Sequence, residues 1–477
     1  MAATKYLVPL TLLLTEALAA GGLYPSYVGL SIELIGFPAF AGTKASPNQF
    51  SHNLMQTLAQ VQGTPVIVRV GGNSADRAIY DKTLKDSTAT SCPNADPDAV
   101  QCIGTTFFDS YGAFPAGTVY SHNFNLGAYK KSGFDTLTAT VPMACKALRG
   151  QLEAWEIGNE PDLFIGSKRG GDYNAGQYAN EWLNTTERFE TLLRSSCPDL
   201  VGGIKYIAPS LSSPGSRLKL TDIFNAEGAG DAKVKQISVH NYMAGATQPG
   251  VTLQNTLMSH NAVTRSIGGH VSYAKTIESV KADYVIGEHN SLYGGGAAGL
   301  SDVFGAALWG MDFTLYAAST GVIKRVHFHQ AVAPYYGKLA AGTFLAKSDT
   351  LEVKVLSLNG DADKDSGYGA YVNGDLKRIA ALNLREFDSS SPQSSRGKQT
   401  YKLKVAANST WTVKRLTAAG ARDQSGITFN GFAYEASSNG RPARVTSRES
   451  NARVKADGSG NLSITVANTE AVVLVKV

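Results

Sequence analysis

Nothing in this sequence of 477 residues approaches the ~20 consecutive apolar residues that a membrane-spanning helix needs. No internal repeat of fixed period and no low-complexity linker interrupts it, so solenoids and strings of tethered modules are set aside. No glycine-rich phosphate loop opens any helix-like segment. Cysteines are few (Cys92, Cys102, Cys145 and Cys197), and none of their spacings is that of a zinc site. Charged residues are only 17% of the chain against 43% hydrophobic, the balance of an ordinary folded protein with ample core. The net charge of +5 is concentrated late in the chain. From Lys338 onward there are 20 basic against 13 acidic groups, and the preceding residues carry 24 against 26. This reads as lysines on exposed strand edges, with no nucleic-acid partner.

What is present begins with a candidate secretory signal over residues 1–20. Lys5 precedes the apolar stretch Tyr6 to Leu14, and Ala17-Leu18-Ala19 offers a small-residue cleavage site. A secreted, extracellular chain matches cysteines used as staples. Of the three pairings open to four cysteines, one joins Cys92 to Cys102 across a small loop and Cys145 to Cys197 across the ends of two predicted helices. Sequons at Asn184, Asn408 and Asn461 agree with secretion.

Residues 21–337 alternate short apolar runs with amphipathic stretches. Tyr27–Glu33, Pro65–Val70, Thr118–Asn123, Gln151–Ile157, Gly203–Ala208, Lys235–His240, Tyr284–Gly287 and Ile323–His329 read as strands. Pro47–Gln62, Tyr129–Arg149, Gly176–Ser195 and Gly299–Ser319 read as helices. Eight strands in that alternation predict an α/β fold, the (β/α)8 TIM barrel, with a doubly wound open sheet as its rival. Residues 338–477 change to period two, in Arg378–Leu384, Tyr401–Val405, Trp411–Leu416, Arg441–Thr446 and Asn461–Val477. With turn signals such as Asn373-Gly374 and Asn430-Gly431, they predict a C-terminal all-β sandwich.

Residues at the C-terminal ends of barrel strands face the active site. That rule selects Glu33, Arg69, Asn73, Asn159, Glu160, His240, Tyr242, Glu288, His327 and His329. Glu160 and Glu288 each end an apolar strand and lie far apart in sequence, as a two-carboxylate glycosidase requires. One must be protonated to donate to the leaving oxygen and the other ionised to attack the anomeric carbon, so their environments must drive their pKa values apart. Glu156, four residues before Glu160, reads as a barrel-interior group, and the three histidines as polar rim residues. His289 reads as a packing residue, since neighbours on a strand face opposite ways. Trp155 and Trp309 read as core.

The run Trp155-Glu156-Ile157-Gly158-Asn159-Glu160-Pro161 with Ile286-Gly287-Glu288 resembles the acid/base and nucleophile strands of the retaining glycosidases of clan A. Gly29-Leu30-Ser31-Ile32-Glu33, Arg69-Val70-Gly71-Gly72-Asn73 and the fused β-domain are similar to glycoside hydrolase family 79, the β-glucuronidase and heparanase family, and closest to its fungal secreted members. The resemblance covers nearly the whole chain after residue 20. It implies Glu160 as general acid/base, Glu288 as nucleophile, Asn159 on the sugar 2-hydroxyl, Tyr242 on the nucleophile, and Arg69 as the charge keeping Glu288 ionised. Glu33 and Asn73 would belong to the sugar site. Tyr293, Tyr335 and Tyr336 are the candidates for the substrate carboxylate. The segment before Gly29 is shorter than the family's extra N-terminal strand would require.

The implied activity is retaining exo-hydrolysis of terminal β-linked glucuronic acid, or its 4-O-methyl form, from a polysaccharide or glycoconjugate. It needs no metal or organic cofactor and fits a monomer. A clan A glycosidase for neutral sugars, a non-catalytic glycan-binding protein and endo-action on glycosaminoglycans are the competing readings.

Overall fold

The computed structural model describes residues 22–92, 101–330, 335–445 and 452–477, so the signal-peptide reading of residues 1–20 lies outside the described residues. Eight parallel strands close into a barrel: β1 (Val28–Glu33), β2 (Ile67–Gly71), β3 (Val119–Phe124), β4 (Leu152–Ile157), β5 (Tyr206–Ile207), β6 (Val234–Ser238), β7 (Asp283–Tyr293) and β8 (Ile323–His329). Closure runs through Val28 opposite Val326 and through Asp283 opposite Gln236. Each strand falls within three residues of its expected start, because a strand buried on both faces reads as an apolar run in the sequence. A short segment, Asn241–Gly245, continues beyond β6 and pairs with the upper half of β7.

Helices α1 (Gln49–Gln62), α2 (Lys131–Ala147), α3 (Ala175–Ser196), α4 (Leu220–Glu227), α5 (His260–Lys275), α6 (Phe304–Ser319) and α7 (Tyr335–Phe344) wrap the barrel. After β2 a 3-10 helix, Thr105–Gly112, takes the helical position. Its Phe107 and Tyr111 pack on Phe37 at 5.9 and 4.9 Å. Helix α5 forms despite its Gly268-Gly269 pair, which lowers helical propensity. Ser259 supplies its N-cap, accepting from the Ala262 amide at 3.2 Å. Two disulfides join Cys92 to Cys102 and Cys145 to Cys197, with Cα separations of 5.5 and 6.3 Å. No helix among the described residues is long and apolar enough to cross a membrane.

The pattern change read at Lys338 falls inside α7, which packs on α6 as the last helix of the barrel. Beyond it come β9 (Leu351–Val355), β10 (Asp365–Val372), β11 (Asp375–Asn383), β12 (Lys398–Lys404), β13 (Thr410–Thr417), β14 (Asn461–Ala467) and β15 (Glu470–Lys476). β9, β10, β11, β15 and β13 form one antiparallel sheet with three shorter strands beyond, and β12 pairs with β14 in a second. The run read as a single stretch, Asn461–Val477, is two strands, and the chain crosses from one sheet to the other at Asn468-Thr469. Asn373-Gly374 and Asn430-Gly431 turn as expected, with φ of 52° and 80° at the first pair and 53° and 77° at the second.

β11 shows how the two halves join. Ile379 and Ala381 face the core between the two sheets, while Ala380 and Leu382 face the core shared with the barrel. Helix α6 is therefore covered on both sides, which explains why it is apolar nearly all round. Its one acid, Asp312, is fully buried. It accepts from the Tyr368 hydroxyl at 2.6 Å and meets His260 Nδ1 at 2.9 Å.

Candidate active site

Alternation along the strands aims the reactive groups inward. On β7, Glu288 points into the barrel mouth, whereas His289 points outward and packs at 4.0 Å from Phe328 and 4.8 Å from Phe313. On β4, Glu156 lies inside while Trp155 packs on Phe124 and Phe189 at 5.7 and 5.2 Å. Beyond Ile157 the chain turns sharply, with Gly158 at φ 83° and Glu160 at φ 48°. A non-glycine residue in that left-handed region is unfavourable unless its surroundings hold it. Two hydrogen bonds do so: the Glu160 amide donates to Ser210 O at 2.9 Å, and the Asn159 amide donates to Asp76 Oδ2 at 2.7 Å. Asp76 is itself buried and also receives the Leu126 and Gly127 amides, at 2.7 and 2.8 Å.

Arg69 is the hub beneath the cavity. Its guanidinium donates twice to Glu156 (2.7 and 3.0 Å), to Glu288 Oε2 (2.8 Å), to Asn159 Oδ1 (2.6 Å) and to Ser31 Oγ (3.0 Å). Only a planar five-donor fork holds so many acceptors at once. Glu288 Oε1 accepts from the Tyr242 hydroxyl at 2.8 Å. Glu160 Oε1 lies 2.8 Å from Nδ1 of the fully buried His240. The Asn159 amide group donates to Asn73 Oδ1 at 3.1 Å. Glu33 accepts from the Asn73 and Ser74 amides at 3.1 and 2.8 Å and from the Ser74 hydroxyl. Its carboxylate fills the space that a Cβ on Gly72 would enter, 2.7 Å away, at a φ of 78°. Glycine is required there on both counts. His329 spans the gap between two acids, with Nε2 3.6 Å from Glu33 and Nδ1 3.6 Å from Glu288.

These surroundings separate the two glutamates electrostatically. Burial pushes the Glu160 carboxyl above its ordinary range, and His240 only partly offsets it. Burial would also raise Glu288. The charges of His329, His240 and Arg69 and the Tyr242 hydrogen bond outweigh it and hold Glu288 well below the usual carboxylate range. Burial disfavours the charged form of His329, but Glu288 and Glu33 overcome it and raise its pKa. A carboxylate oxygen of Glu160 and one of Glu288 lie within 4.8 Å of each other.

The cavity around them measures about 870 Å³, and Glu33, Asn73, Glu160, Tyr242, Glu288 and Tyr293 all line it. Arg69 and Asn159 reach it from below through their hydrogen bonds. Tyr293 stands 56% exposed at the rim, its ring 6.3 Å from that of Tyr242, beside Gly294-Gly295-Gly296. Tyr335 and Tyr336 must be corrected, because they begin α7 and point into the junction with the β-domain. The Tyr335 hydroxyl donates to Leu54 O at 2.8 Å. That of Tyr336 donates to Glu435 at 3.1 Å and accepts the Tyr434 amide at 2.9 Å. Helix α1 engages the Tyr335 hydroxyl and the β-domain that of Tyr336, so neither lines the cavity.

His240, His329, Glu156 and Asp76 carry more of the site than their sequence positions suggested. The strand-end rule did select both histidines. Nothing in the sequence ties Asp76, in the loop after β2, to the amide of Asn159. Glu160, His240 and Glu288 also bring ligand-capable atoms within 4.8 Å of one another. However, both oxygens of Glu288 are already engaged by Arg69 and Tyr242, and the nearby guanidinium disfavours a cation.

The sequence and fold have counterparts. Residues 367–473 match the model of the glycosyl hydrolase family 79 C-terminal beta domain. A beta-glucuronidase from Aspergillus niger is 37% identical, covering 94% of this chain and 90% of its own. One from Neurospora crassa is also 37% identical, covering 90% and 88%. Among solved structures, a 4-O-α-L-rhamnosyl-β-D-glucuronidase from Fusarium oxysporum 12S superposes with a TM-score of 0.76 at 23% identity, over 97% of this chain and 98% of that one. CelM2, a bifunctional glucanase-xylanase from a metagenome library, shares the fold at a TM-score of 0.60 and 13% identity, over 95% and 96%. Matches of that identity along nearly the whole length of both curated relatives establish that this chain belongs to glycoside hydrolase family 79.

Proposed function

We propose that this chain is a retaining exo-glycosidase that removes terminal β-linked glucuronic acid, or its 4-O-methyl form, from glycans or glycoconjugates, acting as a secreted monomer. The observation that carries this reading is the pair of carboxylates within 4.8 Å, one pushed up and one held down in pKa. One oxygen pair that close leaves the carboxyls nearer the roughly 5–5.5 Å of retaining enzymes than the roughly 6.5–9.5 Å that inversion needs for a water molecule. Both curated relatives are named for the same activity.

In this reading the protonated Glu160 donates to the leaving oxygen while Glu288 attacks the anomeric carbon and forms a glycosyl-enzyme. Glu160, now ionised, then takes a proton from the water that releases the sugar. Asn159 is held by Arg69 and Asn73 and has one amide hydrogen left for the 2-hydroxyl. Glu33 accepts from ring hydroxyls. Tyr293 and the amides of Gly294 to Gly296 receive the glucuronate carboxylate. The described residues lining the cavity include Glu33, Glu160, Glu288 and Asp302 but no lysine or arginine. Such a lining opposes a polyanion threaded through the site.

The test is a panel of aryl β-glycosides followed by NMR of the first sugar released. Turnover of the β-glucuronide, little on the β-glucoside or β-xyloside, and a β-anomer as first product are expected. Preference for a neutral sugar would overturn the substrate, and an α-anomer would overturn retention.

A further inference from the structure

Away from the barrel mouth, a groove of about 570 Å³ runs between α2 and α3, within the roughly 300–1,000 Å³ of ordinary ligand sites. Asn184, Arg188 and Thr191 line it from α3 at helical spacing, and Phe134, Leu137 and Thr138 from α2. Its wall is aromatic. Tyr129 and Phe134 pack edge to face at 5.1 Å, and the Arg188 guanidinium lies 4.3 Å over the Phe134 ring. An apolar wall under a rim of Glu187, Arg188, Thr138 and Thr191 suits a sugar ring, which has one apolar face and a hydroxyl edge. Asn184 stands exposed on that rim, its Nδ2 3.3 Å from the Tyr129 hydroxyl, and it opens the sequon Asn184-Thr185-Thr186.

We propose that Asn184 carries an N-linked glycan whose first sugars lie in this groove. Asn184 Nδ2 would displace the diphosphate at the anomeric carbon of a donor oligosaccharide, losing one proton. The N–H that remains still reaches Tyr129. The Thr186 hydroxyl, which the sequon requires, is buried in the folded helix and donates to Leu183 O at 2.9 Å. Transfer therefore precedes the folding of α3, and the finished helix then presents the glycan to the groove. The two disulfides suit the oxidising compartment in which this happens. The other sequons are placed differently. Asn461 commits its amide to Asp457 at 2.8 Å, and Asn408 sits in a left-handed turn at φ 58°.

The full chain, produced in a glycosylating yeast, is digested and its peptides weighed. Asn184 is expected to be modified in most molecules. Endoglycosidase should then release its glycan about fivefold or more slowly from the folded enzyme than from the denatured one, as an aromatic stacking contact implies. Phe134→Ala should abolish that protection while leaving occupancy unchanged. Arg188→Ala, a change at an exposed residue, should weaken protection without threatening the fold. An unmodified Asn184 overturns the proposal, as does a glycan released at equal rates from folded and denatured protein.

Discussion

The turn after β4 and the middle of β7 present the same side chain to one cavity under opposite conditions. Glu160 faces a single imidazole in a buried setting, so its acid form is favoured. Glu288 faces a guanidinium, a phenol and a second imidazole, so its carboxylate is favoured. Burial is nearly equal at the two positions, 7% and 4% exposed, and cannot by itself distinguish an acid from a nucleophile. Partners do that, and the partners come from β2, the segment after β6, and β8 rather than from either glutamate's own strand. Division of labour in this site is thus a property of neighbouring strands.

The comparison breaks most severely when either carboxylate is removed. Glu288→Ala and Glu160→Ala should each lower kcat on an aryl β-glucuronide by about 10⁴-fold or more. Added azide should partly restore the Glu160→Ala enzyme with an activated leaving group, because an external anion needs no general base. Restoration of the Glu288→Ala enzyme with retained product stereochemistry would reverse the roles.

A smaller change sharpens the comparison by moving one side only. In the proposed mechanism activity needs Glu288 ionised, so it should fall as pH drops through that depressed pKa. It also needs Glu160 protonated, so it falls as pH rises through that raised pKa. Tyr242→Phe removes a hydrogen bond to the Glu288 anion, about 1.5–3 kcal/mol for a bond to a charged group, or roughly 10–100-fold in kcat. The acid limb of the pH–rate profile should move to higher pH while the alkaline limb, set beside His240, stays in place. Equal movement of both limbs would mean that the two groups do not divide as described.

The smallest effect on catalysis is expected at the tyrosines. Tyr336→Phe removes a hydroxyl that bonds to Glu435 and Tyr434, so it should lower Tm while leaving kcat/KM within about twofold, the change of a group off the reaction path. Tyr293→Phe should instead raise KM for the glucuronide with little effect on Tm. A large KM change in the Tyr336 variant would return that side chain to the sugar site.

Much of this was legible beforehand because the relevant signals are local. The eight barrel strands are buried on both faces, and such strands write themselves as apolar runs. Asn373-Gly374 and Asn430-Gly431 needed only their own dihedral preferences to mark turns. The carboxylates at positions 160 and 288 stood out because each ends such a run. Less legible was β10, where Gly367 and Gly369 lower strand propensity. A Cβ on Gly367 would come within 2.8 Å of Leu356 O, a constraint invisible without the neighbouring chain. Tyr335 and Tyr336 differ from expectation for a similar reason: proximity to β8 suggested the cavity, while Leu54 of α1 accepts from the Tyr335 hydroxyl and the β-domain engages that of Tyr336.

The sequence by itself determined the alternation that makes the barrel, the period-two tail, and the two glutamates that follow apolar runs, since each depends on the order of side chains along one segment. Tertiary structure alone decided that Arg69 joins Glu156, Asn159 and Glu288, that Asp76 steadies the turn before Glu160, and that the β-domain shares a core with α6 and α7. Those are contacts between groups tens to hundreds of residues apart, and pKa values follow charge and burial in space, not distance along the chain.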